Sequence, residues 1–436
     1  MKSSKGIALA GLLMLGLAFH TQLAQAQAAG TLDTTFGTAG TVTTTFTTTT
    51  LVPIGAVEQS SGDIVVVSQA DFQADAGTNI GLTRFTAAGK LDKTFGKGGS
   101  IFTQFTNTEL DPAFFAVLPN DEIIVAGGIE PIGSVVGGVD NFGLAKFTAG
   151  GALDTTFGTG GLVITPIGPR ADVPEAFLLQ PNGQIVMAGL EGGNGEKPTN
   201  PGFIPNMVSI ARYNSNGTLD STFGSDGVAL LNIATTFEGA AQIALLANGD
   251  YLVIGEPFGS VLTAEVSSAG VLSSTFTDSS VVATSTRAQS GLGTETVFEP
   301  NGNFLIAQTV ATASHDRGQR VQLNQYSEAA VLDSSFDPAL FSFSGTLAST
   351  TQALALTPNG QILVGGSLSE TAAPFGGLTR LNANGALDTT FGTGGTVLAE
   401  NPVNGLLVET SGNIVAVEGE EGAGQTNITL QRFLGN

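Results

Sequence analysis

The chain contains no cysteine and no tryptophan, and only three tyrosines and two histidines. Without cysteine there is no disulfide, no zinc–thiolate centre and no thiol nucleophile. One of the two histidines, His20, falls in an N-terminal leader, so a metal site built from several imidazoles is excluded by count. The lack of Trp and the scarcity of Tyr remove the usual stacking platforms for sugars and quinone cofactors. Basic residues are scarce too: 15 Lys and Arg stand against 37 Asp and Glu, a net charge of −22. Such an acidic surface repels nucleic acid and anionic lipid. Charged residues make up only 12% of the chain, about half the usual share. The rest of the surface must therefore be Thr, Ser, Asn, Gln and Gly.

There is one long apolar run. Lys2 and Lys5 precede Gly6–Phe19, a length that suits a signal-peptide core better than a spanning helix. The small-x-small patterns Ala24-Gln25-Ala26 and Ala26-Gln27-Ala28 predict cleavage after Ala26 or Ala28. The expected organisation is a signal peptide over residues 1–28 and one domain over 29–436. Loss of Lys2 and Lys5 leaves 13 bases against 37 acids, a net −24. The expected location is outside the cytoplasm, periplasmic or extracellular, with no membrane span in the mature chain. A core of this size can hold together without disulfides.

Repetition dominates what remains. "LDTTFGTAG" at Leu32 returns as "LDTTFGTGG" at Leu153 and Leu387, and related copies start at Leu91, Leu219, Leu272 and Leu332. The copies lie 53 to 66 residues apart. A second landmark of the type "QPNGQIVMAG" (Gln180) and a third of the type "FGLAKFTAGG" (Phe142) share that period. Each unit reads as four short strands. An Ala- and Gly-rich strand meets an Asn-Gly-type turn, a β-branched strand follows, a variable loop leads to a third strand, and the signature turns into a fourth. Seven such units predict an all-β, seven-bladed β-propeller with four antiparallel strands per blade. A parallel β-helix has no tight hairpin in each repeat. Small residues such as Ala176, Ala240, Ala241, Ala244, Ala353, Ala355 and Gly405 place the first strand innermost, where seven strands crowd the axis. The chain opens on a fourth strand, Thr41–Phe46, and closes on a third, Ile428–Phe433. Pairing the two satisfies both sheet edges and closes the ring. On this reading Leu434–Asn436 is dispensable.

The repeat "PNGQIVMAG … FGLAKFTAGGALDTTFGTGG" resembles the delta-60 repeat, a bacterial β-propeller repeat with no assigned activity. The resemblance covers essentially residues 30–436 and is weakest at Leu272 and Leu332, whose copies lose the glycines. It implies the fold and export, and it carries no catalytic or binding residues to transfer.

Each signature offers one carboxylate, whereas calcium wants about six to eight oxygens with several acids. An Asp capping a turn through the N–H two residues on accounts for the same letters. Asp33, Asp92, Asp154, Asp220, Asp333 and Asp388 occupy that place, and Ser273, an equally good cap and a poor calcium ligand, fills it in the fifth copy. Phe36, Phe95, Phe157, Phe223, Phe276, Phe336 and Phe391 are kept in all seven, as a wedge between blades requires. The following Gly suits a positive φ, and Asp337 is expected to tolerate one in its place. Candidate chemistry is thin. Glu175 and Glu295 on innermost strands could face the channel mouth, and two carboxylates satisfy the minimum for a glycosidase. His315 and Asp316 sit together in a loop, and Glu418, Glu420 and Glu421 form the densest acidic cluster, a weak cation site at most. No catalytic, cofactor or metal site is predicted. The expected function is an exported, monomeric, non-catalytic binding or structural module for an extracytoplasmic protein or glycan. The rival is an extracellular carboxylate-dependent hydrolase or lyase at the channel mouth.

Overall fold

A computed structural model describes residues 28–46, 50–71, 78–105, 108–131, 141–168, 172–192, 207–232, 242–255, 262–273, 294–311, 319–329, 331–337, 340–343, 348–369, 375–419 and 427–435. They form a seven-bladed all-β propeller. Blade I comprises Thr50–Glu58, Ile64–Asp71, Thr78–Phe85 and Ser100–Thr103. Blade II runs Thr108–Val117, Ile123–Pro131, Asn141–Phe147 and Leu162–Thr165, and blade III Asp172–Leu179, Ile185–Glu191, Met207–Tyr213 and Val228–Leu231. In blade IV the described strands are Gln242–Leu245, Tyr251–Gly255 and Leu262–Val266. Blade V has Thr294–Phe298, Phe304–Ala311, Gln319–Tyr326 and Leu340–Phe341, and blade VI Ala348–Leu356, Ile362–Ser369, Phe375–Leu381 and Thr396–Ala399. Blade VII is built from Val403–Val408, Ile414–Glu418 and Asn427–Phe433. All pairings within the blades are antiparallel, in chain order from the inner strand outwards.

The second strands carry the core because both their faces are covered. Ile64–Val67, Ile123–Ala126 and Ile185–Ala188 are buried without a break, the near-continuous apolar run of a two-sided strand. The core is divided among the seams. The described buried residues fall into seven clusters, each shared by two neighbouring blades. First strands of adjacent blades come very close: a Cβ added to Gly405 would lie 2.8 Å from Gly55 Cα. This explains the small residues there (Ala240 and Ala241 lie outside the described residues).

The ring closes through strands from opposite termini. Thr41–Thr45 is the outer strand of blade VII, in register Thr41↔Gln431 to Thr45↔Asn427. Leu434 and Gly435 are tied in as well. Gly30 N–H donates to the Leu434 carbonyl at 2.8 Å, Leu434 N–H to Thr31 at 2.9 Å, and Arg380 Nη1 to the Gly435 carbonyl.

Deletion of residues 30–46 exposes the Asn427–Phe433 edge and removes the bonds of Gly30 and Thr31 to Leu434. Its expected result is insoluble expression or a sharply lowered melting midpoint. In the intact protein the amides of Thr41–Thr45 should resist hydrogen exchange, and rapid exchange there would contradict closure by this strand.

Candidate functional site

Two features of the fold gather polar chemistry: the seams between blades and the bulges of the inner strands. In the seam, the signature Asp uses its two oxygens differently. Oδ1 of Asp33 accepts from the N–H and hydroxyl of Thr35 at 2.9 and 2.6 Å, and the same pair recurs at Asp92, Asp154, Asp220, Asp333 and Asp388. Except at Asp333, whose third strand carries Gln325 in that place, Oδ2 meets a cation on the third strand. Arg84 lies 2.7 Å from Asp92, Arg212 2.9 Å from Asp220, Arg380 2.8 Å from Asp388, Arg432 2.8 Å from Asp33 and Lys146 3.3 Å from Asp154.

Four of these cations are arginines, and each covers the signature Phe, with guanidinium carbon to ring centroid distances of 4.4 to 4.8 Å. Their Nη1 atoms reach the next blade. Arg84 donates to Ala149 O at 3.1 Å, Arg212 to Ser268 O at 2.6 Å, Arg432 to Ala87 O at 2.7 Å, and Arg380 to Gly435 O. The residue after Phe also crosses the seam: Gly37 N–H donates to Ala88 O, Gly158 to Asn216 O, Gly224 to Ala269 O and Gly392 to Ala29 O. These glycines have φ of 53–56°. Asp337 does not share that conformation, contrary to the sequence expectation, yet its N–H still donates to Asn384 O at 2.9 Å. The Phe rings are buried. They press on a glycine of the next blade's turn, as Phe157 does on Gly217 and Phe223 on Gly270. Phe276 lies outside the described residues.

The hydroxyl and N–H of the residue two on, and the cation, hold Asp92, Asp154 and Asp220 below the ordinary carboxyl range. At Asp33 and Asp388 burial pushes upward, and the same hydrogen bonds with Arg432 or Arg380 outweigh it. The strand-three cations were missed by sequence reasoning, although they stand in the third landmark. The available signal was their constant spacing of eight residues before the Asp, together with Glu265 in the one copy that carries Ser273.

Along the inner strands, a register shift takes one residue out of the ladder in five blades: Ile54, Ala113, Glu175, Gln352 and Asn404. Bulges re-aim side chains in this way. Gln352 Oε1 and Asn404 Oδ1 are buried without a hydrogen-bond partner. Glu295 pairs with Ala307, the register place that Ala176 holds opposite Ala188. It is therefore one residue further along its strand than Glu175, and the fold does not present the two carboxylates equivalently. His315, Asp316, Glu420 and Glu421 lie outside the described residues. Among the described residues no three His, Cys, Asp or Glu side chains are grouped to hold a metal ion.

Glu418 is a further departure from the repeat. It faces Val403, where blades II, III and VI have Gly127, Gly189 and Gly366. In those blades an added Cβ would fall on a carbonyl of the first strand. Blade VII begins that strand later and accommodates the side chain. Glu418 Oε2 accepts from Asn401 N and Nδ2, both at 3.1 Å. Burial raises its pKa to about 7 against the Asn401 hydrogen bonds, with Glu400 adding to the rise.

Three outcomes test these assignments by denaturant or thermal melting. Phe157→Ala should cost about 3–5 kcal/mol, Arg380→Ala about 1–3 and Asp154→Ala about 0.5–2. The reverse order would mean that the aspartate does more than cap and pair. Because the joint carboxyls titrate below the free value of 3.8, their stabilisation is complete above that pH and is lost as pH falls through the lower folded values. Glu418 has the opposite sign: stability falls as pH rises from 4.5 through about 7. Glu418→Gln should match the parent near pH 4 and exceed it at pH 8, and equal pH profiles would remove the buried-carboxyl account.

Three segments, 118–157, 207–223 and 357–391, match the model of a family described as a domain of unknown function (DUF5122) beta-propeller, and each match ends on a signature Phe. No curated protein matches the sequence. Among solved structures, a streptogramin B lyase is 10% identical, with 90% of this chain and 98% of that chain covered at a TM-score of 0.49. An α-L-arabinanase of Penicillium chrysogenum is 12% identical, with 90% and 98% covered at 0.44. The β-propeller domain of the Trilobed protease of Pyrococcus furiosus is 8% identical, with 90% and 95% covered at 0.44. By sequence, parts of blades II, III and VI are thus similar to a propeller repeat family of unknown function.

Proposed function

We propose that this is an exported, non-catalytic propeller of the delta-60 repeat type. It binds a protein partner through a cationic side chain seated at the mouth of the central channel. The observation that carries the reading is the bulge position. Its geometry repeats in five blades while its chemistry changes from Ile and Ala to Glu, Gln and Asn. A structural part keeps its residue from blade to blade, as the signature Phe does; a recognition surface varies it on a fixed frame. A carboxylate such as Glu175 and the side-chain oxygens of Gln352 and Asn404 can only accept hydrogen bonds. Lysine and arginine side chains only donate. A net charge of −22 favours approach of the same cations. A sugar fits less well, because Tyr213, Tyr251 and Tyr326 are all buried and offer no open ring face. Export rests on Lys2, Lys5 and the apolar run to Phe19.

Fluorescence anisotropy with labelled Gly-Lys and Gly-Arg repeat peptides tests the proposal, with a Gly-Glu repeat as the control. The cationic peptides should bind and the acidic one should not. Glu175→Gln, Gln352→Ala and Asn404→Ala should each weaken binding about fivefold. Equal affinity in all three variants would assign the binding to diffuse acidity elsewhere, and no binding by any peptide would remove the reading.

A further inference from the structure

We infer that a cleft at the outer edge of blade VI binds a neutral, largely apolar molecule carrying one N–H or O–H donor. The cleft encloses about 930 Å³ where blades V, VI and VII meet at the outer strands, away from the inner-strand bulges. Phe341 and Phe343 of blade V, Leu387 and Leu398 of blade VI and Phe433 of blade VII form its apolar wall. The turn Gly30–Leu32 borders it. None of its lining residues carries a charge. An ion entering it would lose hydration without meeting a counter-ion, which selects a neutral ligand. The volume falls within the range of pockets that hold drug-sized molecules.

Two departures from the repeat converge on this cleft. The first is polar. Gln431 lines the cleft, one residue before Arg432, whereas Thr83, Ala145, Ala211 and Thr379 precede Arg84, Lys146, Arg212 and Arg380. Thr83 and Thr379 satisfy their hydroxyls across the sheet, with Ser100 and Thr396, both at 2.9 Å. The longer side chain of Gln431 is 4% exposed, and its Nε2 reaches only Thr41 Oγ1, at 3.5 Å. Its Oε1 is buried without a hydrogen-bond partner among the described residues. Folded proteins rarely leave a buried acceptor so. A donor seated in the cleft pairs with it once the terminal amide turns about its soft last torsion.

The second departure is apolar. In four signatures the Leu is pressed on the last glycine: a Cβ added to Gly40, Gly99, Gly161 or Gly227 would lie 2.4–2.7 Å from Leu32, Leu91, Leu153 or Leu219. At Gly395 the distance to Leu387 is 3.4 Å, and Leu387 is 40% exposed. Leu398 on the outer strand is 61% exposed, against 45% for Ile164 at the same register in blade II. Exposed apolar groups gathered in one place mark a binding surface.

Fluorescence titration of the intact protein with N-phenyl-1-naphthylamine, which is neutral and has a single N–H, tests the inference. A saturable rise in emission is expected. Leu398→Glu sets a charge at the cleft and should weaken binding about tenfold. Ile164→Glu makes the same change at the matching place on blade II and should leave binding unchanged. Gln431→Leu removes the acceptor at similar volume and should weaken binding about fivefold. That loss should vanish with the N-methylated probe, which has no donor. Gln431→Ala, the residue of blades II and III, replaces the leucine variant should that one fail to fold. Absence of saturable binding, or equal losses from Leu398→Glu and Ile164→Glu, overturns the inference. So does a Gln431 effect that is absent or the same with both probes.

Discussion

The structure depends on one arrangement, an arginine of the third strand clamped between an aspartate, a phenylalanine face and a carbonyl of the next blade. Blades are twisted sheets whose apolar faces attract without direction, so burial alone would let neighbours slide. The guanidinium supplies direction. Its planar fork satisfies the Asp edge-on, leaves its face for the ring and still has a donor to send across the seam. An exposed ion pair contributes little. These pairs lie over a buried ring, with side chains of Arg380 and Asp388 only 4% and 7% exposed, and they fix positions that hydrophobic contact leaves free.

The innermost strand solves a separate problem. Close approach of seven strands excludes large side chains, which is why a Cβ on Gly405 would crowd Gly55. The bulge then releases one residue per strand from the ladder, at Glu175, Gln352 or Asn404 among others. Crowding thus separates two duties along the same strand. The packed residues stay small and uniform, and the bulged residue is free to vary.

Much of this fold can be read from the sequence, because period and hairpin chemistry are local and repeated. The blade number, the strand order and closure by Thr41–Thr45 all follow from where the landmarks begin and end. The joint is less legible for a physical reason: its partners are eight residues apart across a tight turn, and in blade VII Arg432 and Asp33 stand at opposite ends of the chain. Two carboxylates on inner strands look alike in sequence, yet the register shift before Ala176 places Glu175 and Glu295 at different positions. In sequence Glu418 stands with Glu420 and Glu421 as an acidic cluster, whereas the fold, with its later start of strand one in blade VII, buries it.

The scarcity of basic residues takes on a structural meaning here. Of 15 lysines and arginines, five stand in the joints, at Arg84, Lys146, Arg212, Arg380 and Arg432. Each is committed to an aspartate, so none of the five adds positive potential at long range. The acidic residues outside the joints have few cations to offset them. A propeller that uses its cations as fasteners therefore presents an anionic exterior as a consequence of how it is held together.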